Sequence, residues 1–109
     1  MDEDTTISSI REWVKNFVKE RDWDKFQTPR NLAESIVIEC AELLELFQWD
    51  SSPDDKSVVD ELSDVFIYCL SLANSLNIDV SECIKSKLEE DERKYPISKF
   101  KGNLSKSSI

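Results

Sequence analysis

The chain has 109 residues, with 14 Lys and Arg against 23 Asp and Glu, and no His. The net charge of −9 argues against non-specific binding to a nucleic-acid backbone, and 39% apolar residues are typical of a globular protein. No apolar run approaches the roughly 18 residues that a membrane-spanning helix requires. We therefore expect no nucleic-acid polymer and no membrane as partners.

Four helices are predicted, because one Gly and three Pro leave few turn signals along the chain. In the first, apolar residues follow the i, i+3, i+4, i+7 spacing of a single face. Thr28-Pro29 and Ser52-Pro53 each place an N-cap before a Pro at the first helical position. Asp79 resembles the start of a capping box for the fourth helix. The predicted helices cover about residues 6–21, 29–49, 53–76 and 79–95.

The third predicted helix is apolar on more than one side, since Ile67, Tyr68 and Leu70 lie off its main apolar face. Such a helix must be buried nearly all round, and a short chain offers little cover. We expect an all-α four-helix bundle assembled as a homo-oligomer; the alternative is that the extra face packs under the first helix. Residues 1–96 form the predicted domain, and residues 97–109 a polar, flexible tail.

The start of the chain is acidic and lacks the apolar stretch of a secretory signal, so we expect a cytoplasmic protein. Cys40, Cys69 and Cys83 lie within apolar helical patterns and are predicted to be reduced and buried. The absence of His excludes His-based triads and His-containing zinc or di-iron sites. Carboxylates are left to supply acid, base or metal chemistry.

Two carboxylate pairs lie in the most apolar parts of the second and third helices. Glu39 and Glu42 are three residues apart, as are Glu61 and Asp64, so each pair occupies neighbouring positions on its helix. If the two helices are antiparallel neighbours, four negative charges converge and require a counter-charge. Hard oxygen ligands suit Mg²⁺, with Mn²⁺ as a substitute. The alternative is a solvated acidic face, which is what most such spacings form.

Aromatic and basic residues accompany these acids. Trp23, Trp49 and Tyr68 offer flat rings that could enclose a base, although such residues are more often ordinary core or interface residues. Lys87 and Lys94 on the fourth helix could neutralise phosphates. On a helix so rich in Glu they could equally form ion pairs within the helix.

The ordered acids and their surroundings resemble a known family. Glu39-x-x-Glu42, a gap of 18 residues and Glu61-x-x-Asp64 are similar to the ExxE…ExxD signature of the all-α NTP pyrophosphatase superfamily, which is MazG-like. Five further segments resemble the dCTP pyrophosphatase branch of this superfamily: ERDW at 20–23, PRNL at 29–32, ELLELFQW at 42–49, DELSDVFIY at 60–68 and KYP at 94–96. The resemblance covers about residues 10–103.

The resemblance implies a Mg²⁺-dependent enzyme that hydrolyses a nucleoside triphosphate, with dCTP the first candidate, to its monophosphate and pyrophosphate for nucleotide-pool housekeeping. It implies a homodimer or homotetramer. The four acids would be the metal ligands, and Glu39 or Glu42 would take the proton of the attacking water. By the same resemblance, the base and sugar would be enclosed by Trp23, Trp49 and Tyr68, and the phosphates held near Lys87, Lys94 and Tyr95.

The sequence departs from the resembled pattern at three places. Asp91 stands where relatives often have Asn, Val14 stands where some members have His, and the tail after Asn103 lacks a basic-aromatic ending. Asp91 adds repulsion toward phosphates. An alternative function is therefore a catalytically silent nucleotide-binding or protein-interaction helical module.

Overall fold

The computed structural model of the chain describes residues 1–104, and every regular element within them is helical. The predicted all-α class is thereby confirmed. A 3₁₀ turn at Asp24–Phe26 separates the first two helices. The helices are α1 (Ile7–Glu20), α2 (Pro29–Glu45), α3 (Asp55–Ser75), α4 (Val80–Lys94) and α5 (Ile97–Phe100).

The helix starts are fixed by short polar side chains that accept a backbone N–H of the first turn. Thr6 caps α1 and Thr28 caps α2, where the hydroxyl accepts from the Asn31 N–H at 3.1 Å. Asp79 caps α4 through the Glu82 N–H at 2.8 Å. Each cap satisfies a donor that has no partner inside the helix, so these starts follow directly from local sequence.

Two predicted boundaries between α2 and α3 are wrong. The second helix was expected to continue to Trp49 but ends at Glu45, because the next three N–H groups bond to carbonyls three residues back and tighten the chain into a turn. The third helix begins at Asp55 with Asp54 as its cap, beyond the expected Ser52-Pro53 start. Ser52 instead donates its N–H to Asp50 in a local turn.

The chain divides into two compact units, and the first, residues 1–78, contains α1, α2 and α3. α2 packs along α3, and α1 packs against α3. Arg11 and Asn74 tie α1 to α3, since Arg11 Nε donates to Asn74 Oδ1 at 2.8 Å and Asn74 Nδ2 donates to the Arg11 carbonyl at 3.2 Å. The buried residues of the described chain are Val14, Val18, Leu32, Ser71 and Ala73.

The second unit begins at Asp79 and contains α4 and α5. The Tyr95 and Phe100 rings meet edge to face at 5.2 Å and join the end of α4 to α5. Ile97–Phe100 thus forms one helical turn within the segment expected to be a flexible tail. Residues 105–109 lie outside the described residues, and the division at residue 96 stays a prediction.

Large apolar side chains of α2 and α3 remain on the surface of the chain. Val37 and Leu44 of α2 are 68% and 70% exposed, and Phe66 of α3 is 60% exposed. The cysteines are free as predicted, but their predicted burial is wrong, since all three are exposed. A single chain with so few helices cannot cover the outward face of each helix, so these faces contact solvent. Within residues 1–104, no helix is long and apolar enough to cross a membrane.

Candidate metal centre and adjoining cavity

Three of the predicted acids form a carboxylate cluster between α2 and α3. Glu39 from α2 and Glu61 and Asp64 from α3 are half-buried, and each offers an oxygen within 4.8 Å of the other two. We call these three residues the carboxylate cluster. Glu42, one turn further along α2, is exposed but close enough to interact electrostatically with Glu39 and Glu61. The structure therefore brings all four predicted acids together.

Two oxygens of the carboxylate cluster have no partner within the described residues. Glu39 Oε2 and Glu61 Oε2 are both buried and make no hydrogen bond. A buried acceptor without a partner costs about 1–3 kcal/mol, and more when it is charged. Oxygens sharing one Mg²⁺ at about 2.0–2.1 Å lie at most about 4.2 Å apart, so the cluster needs to close only slightly to bind it. The donor set fits a hard divalent cation.

Partial burial, together with crowding of negative charge, changes the acidity of Glu39 and Glu61. Partial burial raises the pKa of Glu39 above its ordinary value, and hydrogen bonding with and repulsion from Glu42 raise it further. Partial burial also raises the pKa of Glu61, followed by repulsion from Glu42 and then from Asp64. Glu42 and Asp64 thus oppose ionisation of Glu39 and Glu61. A bound cation would relieve this repulsion.

A cavity of about 250 Å³ lies beside the carboxylate cluster and brings two of the predicted aromatic residues together. Trp23 and Tyr68 both line it. Such a combination of flat rings with a few polar groups is typical of small-molecule sites. The remaining lining residues are Phe26, Gln27, Asn31, Leu32 and Ser35.

The end of α1 places Trp23 at this cavity. The Trp23 N–H donates to the Val18 carbonyl at 3.0 Å, and the Asp22 N–H donates to the Lys19 carbonyl at 3.0 Å. Asp22 has φ +54°, so the chain reverses through a left-handed residue in a Schellman motif. Asp tolerates this conformation better than most residues because its short side chain can bond locally.

Side-chain stacking then holds the Trp23 ring. The Phe17 ring contacts it edge to face at a centroid distance of 5.8 Å. Arg21 lies over the Phe17 ring, with Cζ 3.7 Å from its centroid, and its Nη1 donates to the Phe17 carbonyl at 3.0 Å. Cation–π and aromatic contacts of this kind stabilise the ring orientation.

The cavity and the carboxylate cluster are one helical turn apart on both helices. Ser35 precedes Glu39 by four residues on α2, and Tyr68 follows Asp64 by four residues on α3. Moving back along α2 thus corresponds to moving forward along α3, as an antiparallel pair requires. Four residues rise about 6 Å along a helix axis. A ligand in the cavity can therefore extend along the interhelical groove to the acids.

Of the other predicted site residues, Trp49 belongs to the first unit and Lys87 and Lys94 belong to the second. Trp49 is 88% exposed and lines neither this cavity nor the carboxylate cluster. Lys87 Nζ lies 3.5 Å from Asp91 Oδ1 and 3.6 Å from Glu90 Oε1, and the Asp91 charge is the main reason that the pKa of Lys87 is raised. The expected ion pairing within α4 is therefore present. Lys94 Nζ lies over the Tyr95 ring at 5.4 Å.

Sequence reasoning missed the polar lining of the cavity. Asn31 Nδ2 donates to the Phe26 carbonyl at 3.0 Å and fixes the wall opposite α3. Ser35 lies one turn before Glu39, so helical spacing from the predicted acids would have found it. Gln27 lies outside a regular helix and gave no periodic signal.

Comparisons with known proteins find similarity in both sequence and fold. The model of the MazG-like family matches residues 34–108. A solved structure of a pyrophosphatase from Archaeoglobus fulgidus superposes with a TM-score of 0.75 at 41% sequence identity, covering 83% of this chain and 92% of that one.

Two curated relatives are dCTP pyrophosphatase 1 of Mus musculus and of Homo sapiens. The mouse protein is 36% identical over 111 residues, which cover 93% of this chain and 65% of the mouse protein. The human protein is 39% identical over 101 residues, which cover 84% of this chain and 59% of the human protein. The chain thus spans somewhat less than two thirds of the length of these relatives.

Proposed function

Because this chain belongs to the MazG-like family, we propose that it is a nucleoside triphosphate pyrophosphohydrolase that converts a deoxynucleoside triphosphate and water to the monophosphate and pyrophosphate. The observation that carries the proposal is the carboxylate cluster, with its two unpartnered oxygens, one helical turn from an aromatic cavity. The names of the mouse and human relatives make dCTP the first substrate to test.

Glu39, Glu61 and Asp64, with Glu42 beside them, would hold the divalent cation, Mg²⁺ or Mn²⁺ as its substitute. Carboxylate oxygens are the ligands that these ions prefer. When bound, the cation neutralises the converging charges and supplies a Lewis acid for the phosphates and for water. Without it, the carboxylate cluster would repel a triphosphate.

The cavity holds the nucleoside. Trp23 and Tyr68 supply aromatic faces for the base, and a stacked base contributes about 1–3 kcal/mol. The one-turn offset to the acids is bridged by the sugar, so the phosphates emerge beside Glu39 and Asp64. This placement orients the triphosphate before the reaction.

The reaction transfers the nucleoside monophosphate group to water. A bond forms between the water oxygen and the α-phosphorus, the anhydride bond between the α- and β-phosphates breaks, and pyrophosphate leaves. Glu39 or Glu42 accepts the water proton. Their position supports this role, since Glu39 belongs to the carboxylate cluster and Glu42 lies one turn further along α2.

The phosphate role of Lys87, Lys94 and Tyr95 stays a prediction. Its support is the cationic and hydrogen-bonding chemistry of these side chains on α4 and directly after it. The ion pair between Lys87 and Asp91 opposes it, since part of the lysine charge is already compensated. The enclosure of the sugar by Trp49 also stays a prediction.

The enzyme assembles as a homodimer or homotetramer through the apolar faces of α2 and α3. Val37, Leu44 and Phe66 are each at least 60% exposed in the single chain, and a second copy would bury them. Sedimentation equilibrium tests this, and a mass of one chain at micromolar concentration contradicts it. The cytoplasmic location stays a prediction.

The test of the activity is incubation of purified protein with Mg²⁺ and a panel of deoxynucleoside triphosphates, with products identified by phosphorus NMR. Monophosphate and pyrophosphate are expected. Release of orthophosphate, or no turnover, contradicts the proposal; nucleotide affinity without product indicates the silent binding module. Asp64→Asn should abolish turnover, whereas the neighbouring Asp60→Asn should not, because Asp60 lies outside the carboxylate cluster and is ion-paired with Lys56.

A further inference from the structure

A second cavity, of about 230 Å³, lies between α1 and α3. Val14 and Val18 of α1 form an apolar part of its wall, and Ser71 and Asn74 of α3 add polar groups. Asn74 already uses its amide oxygen and nitrogen in the paired contact with Arg11. The cavity therefore has an apolar wall on α1 and, on α3, a polar side chain, Asn74, whose hydrogen bonds are already made.

Ser71 presents a hydroxyl that lacks a partner within the described residues. The residue is 4% exposed, and its Oγ is buried without a hydrogen bond. A Ser inside a helix commonly bonds the carbonyl one turn earlier, which would have satisfied the group locally. Leaving a buried hydroxyl unsatisfied destabilises the protein, so such a group calls for an explanation.

Gln27 connects this second cavity to the nucleoside cavity. It lines both of them, and within residues 1–104 its side-chain amide makes no hydrogen bond. Ser71 lies three residues after Tyr68 on α3, so their Cβ atoms are neighbours at about 5–6 Å. Ser71 lies in the wall of the second cavity, which shares Gln27 with the nucleoside cavity. A base that lies on Tyr68 and extends toward the second cavity therefore directs its edge at the Gln27 amide and at the side of α3 that carries Ser71.

We infer that Gln27 and Ser71 form the base-selecting end of the nucleotide site, where they hydrogen-bond the edge of the base while Trp23 and Tyr68 stack on its faces. The amide offers one donor group and one acceptor, and the hydroxyl offers both, which is the chemistry of a nucleobase edge. Stacking accepts any base, whereas hydrogen bonds discriminate between bases. This inference rests on the proposed function.

The experiment compares kcat/KM for dCTP, dUTP, dATP and dGTP in the wild type, Gln27→Leu and Ser71→Ala. Each variant should change the ratio between the preferred and the second substrate by roughly 2- to 12-fold, as expected for one lost hydrogen bond. Ser71→Ala should also keep or raise the Tm of the ligand-free protein, because it removes an unsatisfied hydroxyl. Ser8→Ala, on the exposed first turn of α1, is the control and should change neither quantity.

The outcomes separate the inference from the proposed function. If the protein releases pyrophosphate but both variants keep the wild-type ratios, the inference is wrong and the function stands. If the wild type binds nucleotides without turnover, the same ratios taken from Kd values decide the inference. If the wild type neither binds nor hydrolyses any of the four deoxynucleoside triphosphates, both the inference and the proposed function are wrong. Gln27 is half-buried and lies outside the helices, so Gln27→Leu still tests the inference if Ser71→Ala fails to fold.

Discussion

Glu61→Gln removes one negative charge from the carboxylate cluster with little change in shape. The wild type should gain stability from Mg²⁺, since a cation that binds only the folded state stabilises it by RT ln(1 + [L]/Kd). The variant should lose most of that gain, because Glu61 supplies one of the three oxygens within 4.8 Å of one another.

The expected size follows from chain length. At a Mg²⁺ concentration of 100 times Kd, the gain is about 2.7 kcal/mol. With 109 residues and an unfolding entropy of about 2.1 cal/mol/K per residue, this corresponds to a Tm increase of about 12 °C. Loss of an outer-shell contact already weakens metal binding by about 10- to 100-fold, so loss of a ligand should reach at least the upper figure. A 100-fold weaker Kd leaves about 0.4 kcal/mol, or about 2 °C.

Thermal unfolding followed by circular dichroism, with EDTA or with increasing Mg²⁺, measures this difference. Glu45→Gln is the matched control, since Glu45 continues the three-residue spacing of Glu39 and Glu42 on α2 but lies outside the carboxylate cluster. It should keep the full Mg²⁺ response. An equal Tm response in Glu61→Gln and the wild type would refute the assignment of the cluster as a cation site.

Three further outcomes are expected. Because the pKa values of Glu39 and Glu61 are raised, ionisation of these two groups destabilises the metal-free fold as the pH rises through their pKa values. In EDTA, the variant that carries both Glu39→Gln and Glu61→Gln should therefore have a higher Tm than the wild type. This Tm difference should be larger at pH 7 than near the ordinary carboxyl pKa of 4.5. Asp91→Asn should lower KM for the triphosphate by about 1.5- to 5-fold in steady-state kinetics, because it frees Lys87 from an exposed ion pair; an unchanged KM would count against a phosphate role for Lys87. Leu32→Ala should lower the free energy of unfolding by about 2–5 kcal/mol in urea titration, since Leu32 is 2% exposed and lines the nucleoside cavity; a loss below about 1 kcal/mol would show that the site collapses around the smaller side chain.

The local sequence was sufficient where a structural signal lies within one helical turn. The N-caps Thr6, Thr28 and Asp79 each act on an N–H three residues ahead, so their helix starts were predictable. The start of α3 was not, because Pro53 suits a first helical turn as well as the preceding loop. Asp54 has the stronger side-chain acceptor and sets the start instead.

The same distinction between local signals and tertiary contacts applies to the candidate site. The sequence by itself determined that the chain is helical, and it predicted two carboxylate pairs, since a spacing of three residues places each pair on one helix face. Only the tertiary structure decided that Glu39 meets Glu61 and Asp64, that Trp23 shares a cavity with Tyr68 while Trp49 stays in solvent, and that Ser71 is buried without a partner. These are contacts between helices, and they depend on the register in which α2 packs on α3, which no spacing within a single helix specifies.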